Sequence, residues 1–341
     1  MRVAVETQFA VGNSTGLGAY SSRLYEALRR RDDVDAVALQ DPRFDLWRFD
    51  RRVYWDQVRA PMLARRARAQ AVHFTGGTVP AVLPPRAVVT VHDLAWLREA
   101  NRGRAYVRWY FGRFQPALVR RAAAIVVDTV AAQADVADGL RIPPERIVVA
   151  GAAADDAFFS IVRRVDPEEP FVLAVGTVEE RKDLITAVRA LARVPLLRLV
   201  SVGPHTPYAA DVMSEAASLR VSSRIELRGY VDQSALLDLY SRAAALVFPS
   251  RYEGFGLPPL QAQAAGLPVV AASAAVIEEV LGDHAWYAPP GDDSAFAAHL
   301  ETVLRGGAAV EERTSSARTR ARSFTWDAVA ERMSRVYHSL T

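Results

Sequence analysis

One lysine, Lys182, stands among 41 arginines. It lies in VGTVEERKDL (residues 175–184), between a strand-like run at 171–175 and a helix-like run at 184–192. A strand-loop-helix junction offers free backbone N–H groups and the positive end of a helix dipole, and both suit phosphate. Lysine is a compact point charge on a flexible stem, whereas arginine is a planar fork. Keeping lysine here alone points to a phosphate-binding ammonium, with Arg181 beside it. The blander reading is chance survival of one surface lysine.

A second cluster lies in FPSRYEGFGLPPLQAQAAGLPVVAAS (residues 248–273). A strand ends at Phe248, a turn carries Glu253, Gly254, Phe255 and Gly256, and Leu257 with Pro258 and Pro259 opens a helix, whose first turn tolerates proline. The glycines let backbone approach a ligand closely. The Glu253 carboxylate could accept from sugar hydroxyls, and a lone glutamate in such a turn is equally a helix cap. His92 follows an apolar strand in VTVHDL (residues 89–94). Asp93 either orients its ring or caps the next turn. A glycine-rich loop, GNSTGLGAY (residues 12–20), precedes a helix.

The elements that must position these residues alternate. Apolar strand-like runs occur at 3–5, 36–39, 71–74, 88–91, 124–127 and 147–150, with helix-like segments such as 19–30 and 131–140 between them. The second half repeats the pattern, with strands at 171–175, 197–202, 225–227, 245–248 and 268–272, and helices at 208–219, 234–243 and 258–265. Such alternation predicts an α/β protein of two doubly wound parallel-sheet domains. They are expected at residues 1–165 and 166–323, joined by the acidic, proline-bounded stretch 166–170. A final helix, about 324–341, is expected to cross back to the first domain. Ligands of such sheets bind outside the carboxyl ends of the strands, so a cleft between facing domains is the expected site.

Composition narrows the classes. A chain of 341 residues, half of them apolar, can bury two cores. It has no cysteine, which rules out disulfides and thiolate chemistry. The amino terminus reads as a strand and not as a signal peptide. No apolar run reaches the ~18 residues of a membrane-spanning helix, so a cytoplasmic location is expected. Net charge is +3, divided as +8 over residues 1–165 and −5 over 166–341. The basic half suits an anionic partner.

Residues 253–270 resemble the donor-site signature of the retaining family-4 glycosyltransferases, which have the GT-B fold. Residues 229–250 resemble the segment preceding that signature. VGTVEERKDL is similar to the family's diphosphate loop, VTVHDL to its histidine loop and GNSTGLGAY to its glycine-rich first loop. The matches run in the family's order over nearly the whole chain. The resemblance implies that Arg181 and Lys182 neutralise the donor diphosphate, helped by backbone N–H groups near Gly256 and Leu257. Glu253 would be the first acid of the family's Glu-x7-Glu motif, beside the transferred sugar. His92 would face that sugar, Gly16 would let the first loop near the phosphates, and Gly203 and Tyr230 would line the base. Gln261 stands where the family has its second, ribose-binding acid. An amide can still accept and donate there. Thr177 stands where some relatives place an arginine.

The expected function is retaining transfer of a hexose, with mannose the first choice, from a nucleotide diphosphate sugar to a glycan or lipid-linked acceptor in polysaccharide biosynthesis. GDP-mannose is the expected donor, and no cofactor or metal is implied. The alternatives are an idle sugar-nucleotide-binding subunit, suggested by Gln261, and another GT-B enzyme such as a sugar-nucleotide epimerase. Asp33-Val34-Asp35 has the metal-binding Asp-x-Asp form but reads as a solvated turn. The segment 104–121 mixes arginines with Tyr106, Trp109, Tyr110, Phe111 and Phe114. It reads either as a surface for an anionic membrane, giving peripheral contact at the inner face, or as a half-buried helix filling the first core. The half-buried helix is the favoured reading. Nucleic-acid binding is not expected, because no such module frames the charge.

Overall fold

A computed structural model describes residues 1–12, 16–44, 46, 48–166 and 168–340, except 101–103 and the side chains of 99 and 100. The chain divides into two compact units, Met1–Ala152 with Thr325–Thr341, and Ala153–Phe324.

The first unit holds one parallel sheet of six strands in the order β2-β1-β3-β4-β5-β6. These are β1 (Arg2–Glu6), β2 (Asp35–Leu39), β3 (Ala71–Phe74), β4 (Ala87–Thr90), β5 (Ala124–Val127) and β6 (Ile147–Val149). The second unit holds another, in the order β12-β11-β10-β7-β8-β9. Its strands are β7 (Phe171–Val175), β8 (Arg198–Val202), β9 (Ile225–Leu227), β10 (Ala245–Phe248), β11 (Val269–Ala272) and β12 (Trp286–Ala288). Strands such as β3 and β10 are buried along their whole length. Parallel strands covered on both faces by helices need that continuous apolarity, and it is why they read as unbroken runs.

The strand of the second half that sequence patterning missed is β12, whose three residues Trp286, Tyr287 and Ala288 pair with β11 at the sheet edge.

The acidic stretch 166–170, expected as the linker, lies inside the second unit; Pro167 is outside the described residues. The reason is visible in the preceding segment. Phe158 packs edge-on against Tyr240 with ring centroids 5.0 Å apart. Arg163 donates to the carbonyls of Tyr240 and Ala243, and the Arg164 amide donates to Ser241 O at 2.8 Å. These bonds hold residues from Ala153 onward to the second unit.

The helix Trp326–Ser339 belongs to the first unit. Its start is capped by the Thr325 hydroxyl, which accepts from the Ala328 amide at 3.2 Å. Val329, Met333 and Tyr337 are fully buried on one face. The Tyr337 hydroxyl lies 2.8 Å from His73 Nδ1, and His73 Nε2 lies 2.7 Å from the Thr90 hydroxyl. Burial pushes the His73 imidazole down to about 3, so the ring is neutral, with one nitrogen donating and the other accepting between the two hydroxyls. Tyr337→Phe leaves His73 Nδ1 without a partner. It is expected to lower stability by about 1–3 kcal/mol, read as a shift of the urea unfolding midpoint.

Candidate functional site

In the second sheet the chain reverses its direction of winding between β7 and β10. Strands β8 and β9 lie to one side, β11 and β12 to the other. Such a switch point opens a crevice at the carboxyl ends of its two strands. The loops after β7 and β10 carry Lys182 and Glu253.

The β7 loop leaves the strand through Gly176 at φ +136° and ends in a single helical turn, Glu180–Lys182. Asp183 follows at φ +48° and opens the helix Leu184–Arg193. This backbone conformation costs a non-glycine residue energy. The Asp183 carboxylate compensates by accepting from the Thr186 hydroxyl and from Arg251 Nε, both at 2.8 Å. Arg251 belongs to the β10 loop, and its amide also donates to Arg181 O at 2.9 Å. The two loops are thus fastened before any ligand arrives.

Lys182 Nζ lies 2.5 Å from Glu253 Oε1. Arg181 Nη1 lies 3.4 Å from Glu253 Oε2 and donates to Tyr252 O at 3.0 Å, and Arg181 Nε lies 2.8 Å from Glu179. Burial raises the Glu253 carboxyl, but Lys182 and Arg181 outweigh it and the net direction is down. The cluster therefore holds two cations and two anions in balance. An ammonium has three donors, so Lys182 can keep Glu253 and still present N–H groups to a phosphate.

The room around Lys182 is small. A Cβ on Gly176 would lie 3.3 Å from its Cε, and its Nζ sits 5.2 Å from the centre of the Phe248 ring. A cavity of about 20 Å³, lined by Gly176, Thr177, Lys182, Phe248 and Ser250 among others, lies at this point. A planar guanidinium does not fit that slot in the way an ammonium does.

Other expected residues lie in the segments that follow β8, β9 and β10. Gly256 takes φ +92° and precedes the helix Leu257–Ala264, whose first turn contains the prolines. A Cβ there would lie 2.7 Å from Ile277 Cδ1. Phe255 is buried against Phe324, and Gly254 lies in the same turn. Gln261 Oε1 lies 3.3 Å from the Tyr240 hydroxyl, a partner that local sequence did not suggest. Gly203 follows β8, and its amide donates to Gly229 O at 2.8 Å, next to the exposed Tyr230.

In the first unit His92 follows β4. Its Nδ1 lies 2.5 Å from Asp128 Oδ2 and its Nε2 3.1 Å from Thr75 O. Asp93 instead caps the next turn, accepting from the Ala95 amide at 2.8 Å. Asp128, the residue after β5, escaped the sequence reading; its only signal was an acid directly following an apolar strand. Burial pushes the His92 imidazole down, but Asp128 and Asp93 outweigh it and the net direction is up. Gly16 opens the helix Gly16–Arg29; residues 13–15 of the glycine-rich loop lie outside the described residues.

Two further readings meet their outcome here. Asp33 is engaged by Arg31 at 2.8 Å and by the Ser334 hydroxyl at 2.6 Å, and the bond from Arg31 is the main cause of its fall to about 2. That is a hydrogen-bonded turn. In the segment 104–121, Tyr110 is buried and donates to Asp56 at 2.9 Å, while Tyr106 and Trp109 are 49% and 56% exposed. The segment fills the core with one side and bares aromatics on the other. Among the described residues no helix is long and apolar enough to cross a membrane.

Gly203 takes φ +143°, and a Cβ on it would lie 2.1 Å from Gly176 O. Gly203→Ala must therefore displace the backbone that seats Lys182. It is expected to destabilise the protein by at least about 1–3 kcal/mol, read by calorimetry.

Known proteins similar to this chain agree with its fold. Residues 156–323 match the family "Glycosyl transferases group 1". The chain is 32% identical over 163 residues to O-antigen chain mannosyltransferase B of Escherichia coli, covering 46% of this chain and 42% of that protein. The chain thus spans less than half the length of that relative. It is 25% identical over 319 residues to O-antigen chain mannosyltransferase RfbU of Salmonella typhimurium, covering 85% and 88%. The structure of HepE of Anabaena, in complex with UDP and glucose, superposes with a TM-score of 0.73 at 15% identity, covering 99% of this chain and 100% of that one. The chain thus has the GT-B fold, matches the group 1 glycosyl transferases over residues 156–323, and is similar to mannosyltransferases of O-antigen chains.

Proposed function

We propose that this protein is a retaining hexosyltransferase whose second unit binds a nucleotide diphosphate sugar and whose first unit binds a glycan or lipid-linked acceptor. The observation that carries the proposal is the Lys182–Glu253 pair at the β7/β10 switch point, with Arg181 alongside. In the reaction the bond from the anomeric carbon to the diphosphate breaks, and a bond to an acceptor hydroxyl oxygen forms. The acceptor proton leaves with the nucleoside diphosphate. Charge developing on that leaving group would be met by Lys182, Arg181 and the N–H groups at Gly256 and Leu257. Glu253 would hold the ammonium in place and lie beside the sugar. Gln261 would meet the ribose, and Gly203 and Tyr230 the base.

The donor is proposed to be GDP-mannose. Two relatives named as mannosyltransferases support the sugar, and the UDP in HepE supports a nucleoside diphosphate as the class of leaving group. The exposed Tyr106 and Trp109, among arginines, suit contact with the membrane that would carry a lipid-linked acceptor.

Incubation with a panel of sugar nucleotides, reading nucleoside diphosphate release and the fate of the sugar, tests the proposal. Release that requires an acceptor supports transfer. Binding without release would instead make the chain an idle subunit, and a changed sugar still on its nucleotide an epimerase.

Lys182→Ala is expected to lower kcat by about 10²–10³, roughly 3–4 kcal/mol, and also to lower stability, because it leaves the buried Glu253 with Arg181 alone. Lys182→Arg is expected to impair turnover less than the alanine variant but clearly, since the slot beside Gly176 and Phe248 admits a point charge. Parent activity in Lys182→Arg would remove the lysine from the mechanism. Because the proposed diphosphate site is built from protein cations, turnover is expected to persist in excess EDTA. Complete loss, restored by magnesium or manganese, would contradict that part of the proposal.

A further inference from the structure

Both ring nitrogens of His92 are spent within the first unit. Thr75 O, 3.1 Å from Nε2, is a carbonyl and can only accept, so Nε2 carries a proton. Nδ1 faces the Asp128 carboxylate at 2.5 Å, a charge-assisted distance. A ring protonated on both nitrogens satisfies both acceptors. A neutral ring satisfies one and turns a bare lone pair toward the other.

The three partners follow three neighbouring strands. Thr75 comes directly after β3, His92 two residues after β4, and Asp128 directly after β5. The ring is also closed in from the side. Tyr20, on the helix Gly16–Arg29, meets it edge-on with centroids 4.4 Å apart, and the same tyrosine packs 5.6 Å from Trp326 of the final helix. His92 is therefore walled by protein and bonded at both ends.

We propose that Asp128 is a positioning residue that holds His92 as an imidazolium brace across the loops after β3, β4 and β5. The histidine then fixes the backbone of these loops through both ring nitrogens. This inference deepens the transferase reading but rests on it only for its activity arm.

The charged and titratable neighbours agree on the sign. Asp128 from the β5 loop and Asp93 from the histidine's own loop favour the cation. His73 on β3 is neutral and bonded to Thr90 and Tyr337, so it brings no competing charge. Tyr20 contributes an un-ionised phenol, its hydroxyl pushed far up by burial, and Arg332 of the final helix lies near that phenol as an opposing cation. With its folded value raised, the His92 proton stabilises the fold fully below the unfolded value of about 6.5, and that stabilisation is lost as pH rises through the folded value.

The test is nitrogen-15 NMR of histidine side chains in the full chain, with His92 assigned through His92→Gln. At pH 7 both His92 nitrogens are expected at protonated shifts. Asp128→Asn is expected to lower the His92 midpoint by about one to three pH units. The stability difference between parent and variant is expected to shrink as pH rises. If the variants do not fold, the parent spectrum alone decides. A neutral His92 tautomer at pH 7, or a midpoint unmoved in Asp128→Asn, would overturn the proposal. In the activity arm, Asp128→Asn is expected to lower kcat with donor KM little changed. A parent without transferase activity would sink the function and leave the brace to be judged on its spectrum.

Discussion

The contact between Lys182 and Glu253 is the centre of the ion-paired cluster in the second unit. It joins the loops of two adjacent parallel strands whose onward connections run in opposite directions. Burial disfavours each charge singly, and each makes the other tolerable. Arg181 and Glu179 extend the balance, Asp183 and Arg251 repeat it one residue further on, and a backbone bond from Arg251 to Arg181 closes the stitch. The left-handed Asp183 and the glycines at 176, 203 and 256 are the conformational cost of bringing so much backbone to one point.

The two units share a topology and treat their crevices differently. In the first sheet the winding reverses between β1 and β3. There the buried Glu6 carboxylate accepts from the Thr75 and Gly76 amides at 3.0 and 3.1 Å and from Trp55 Nε1 at 2.6 Å. Amides of the kind that could hold a ligand anion are occupied by a side chain of the protein itself. In the second unit the corresponding place holds glycine backbone with Lys182 and Arg181 beside Glu253. The anion-binding role proposed above suits that unit, even though the first carries the greater positive charge.

Sequence carried most of the fold because both sheets are parallel and covered on two faces. Strands of that kind read as short, unbroken apolar runs, and β12 alone was not read. The junction between the units was harder. Proline and acidic residues at 166–170 look like a linker, yet Arg163 and Arg164 are bound to the carbonyls and side chains around residues 238–243, contacts far away in sequence. The site divides in the same way. Lys182, Arg181 and Glu253 each sat in a recognisable loop after a strand, and the structure brings those loops together. Asp128 lies 36 residues from His92 and becomes its partner only because β4 and β5 are neighbours. The Tyr240 contact to Gln261 likewise depends on packing between helices.

The near-absence of lysine gives the chain an unusual chemical simplicity. Guanidinium groups do not form imines with aldehydes or amides with active esters under the conditions in which amines do. To reagents of that type the 41 arginines are silent, and Lys182 is the one side chain that can respond. Its reactivity is that of an ammonium held by Glu253 beneath the β7 loop, so the yield of such a label would report how often that pair opens. Beside the α-amino group at Met1, composition has left the molecule with one side-chain amine as a built-in reporter, placed where the β7 and β10 loops meet.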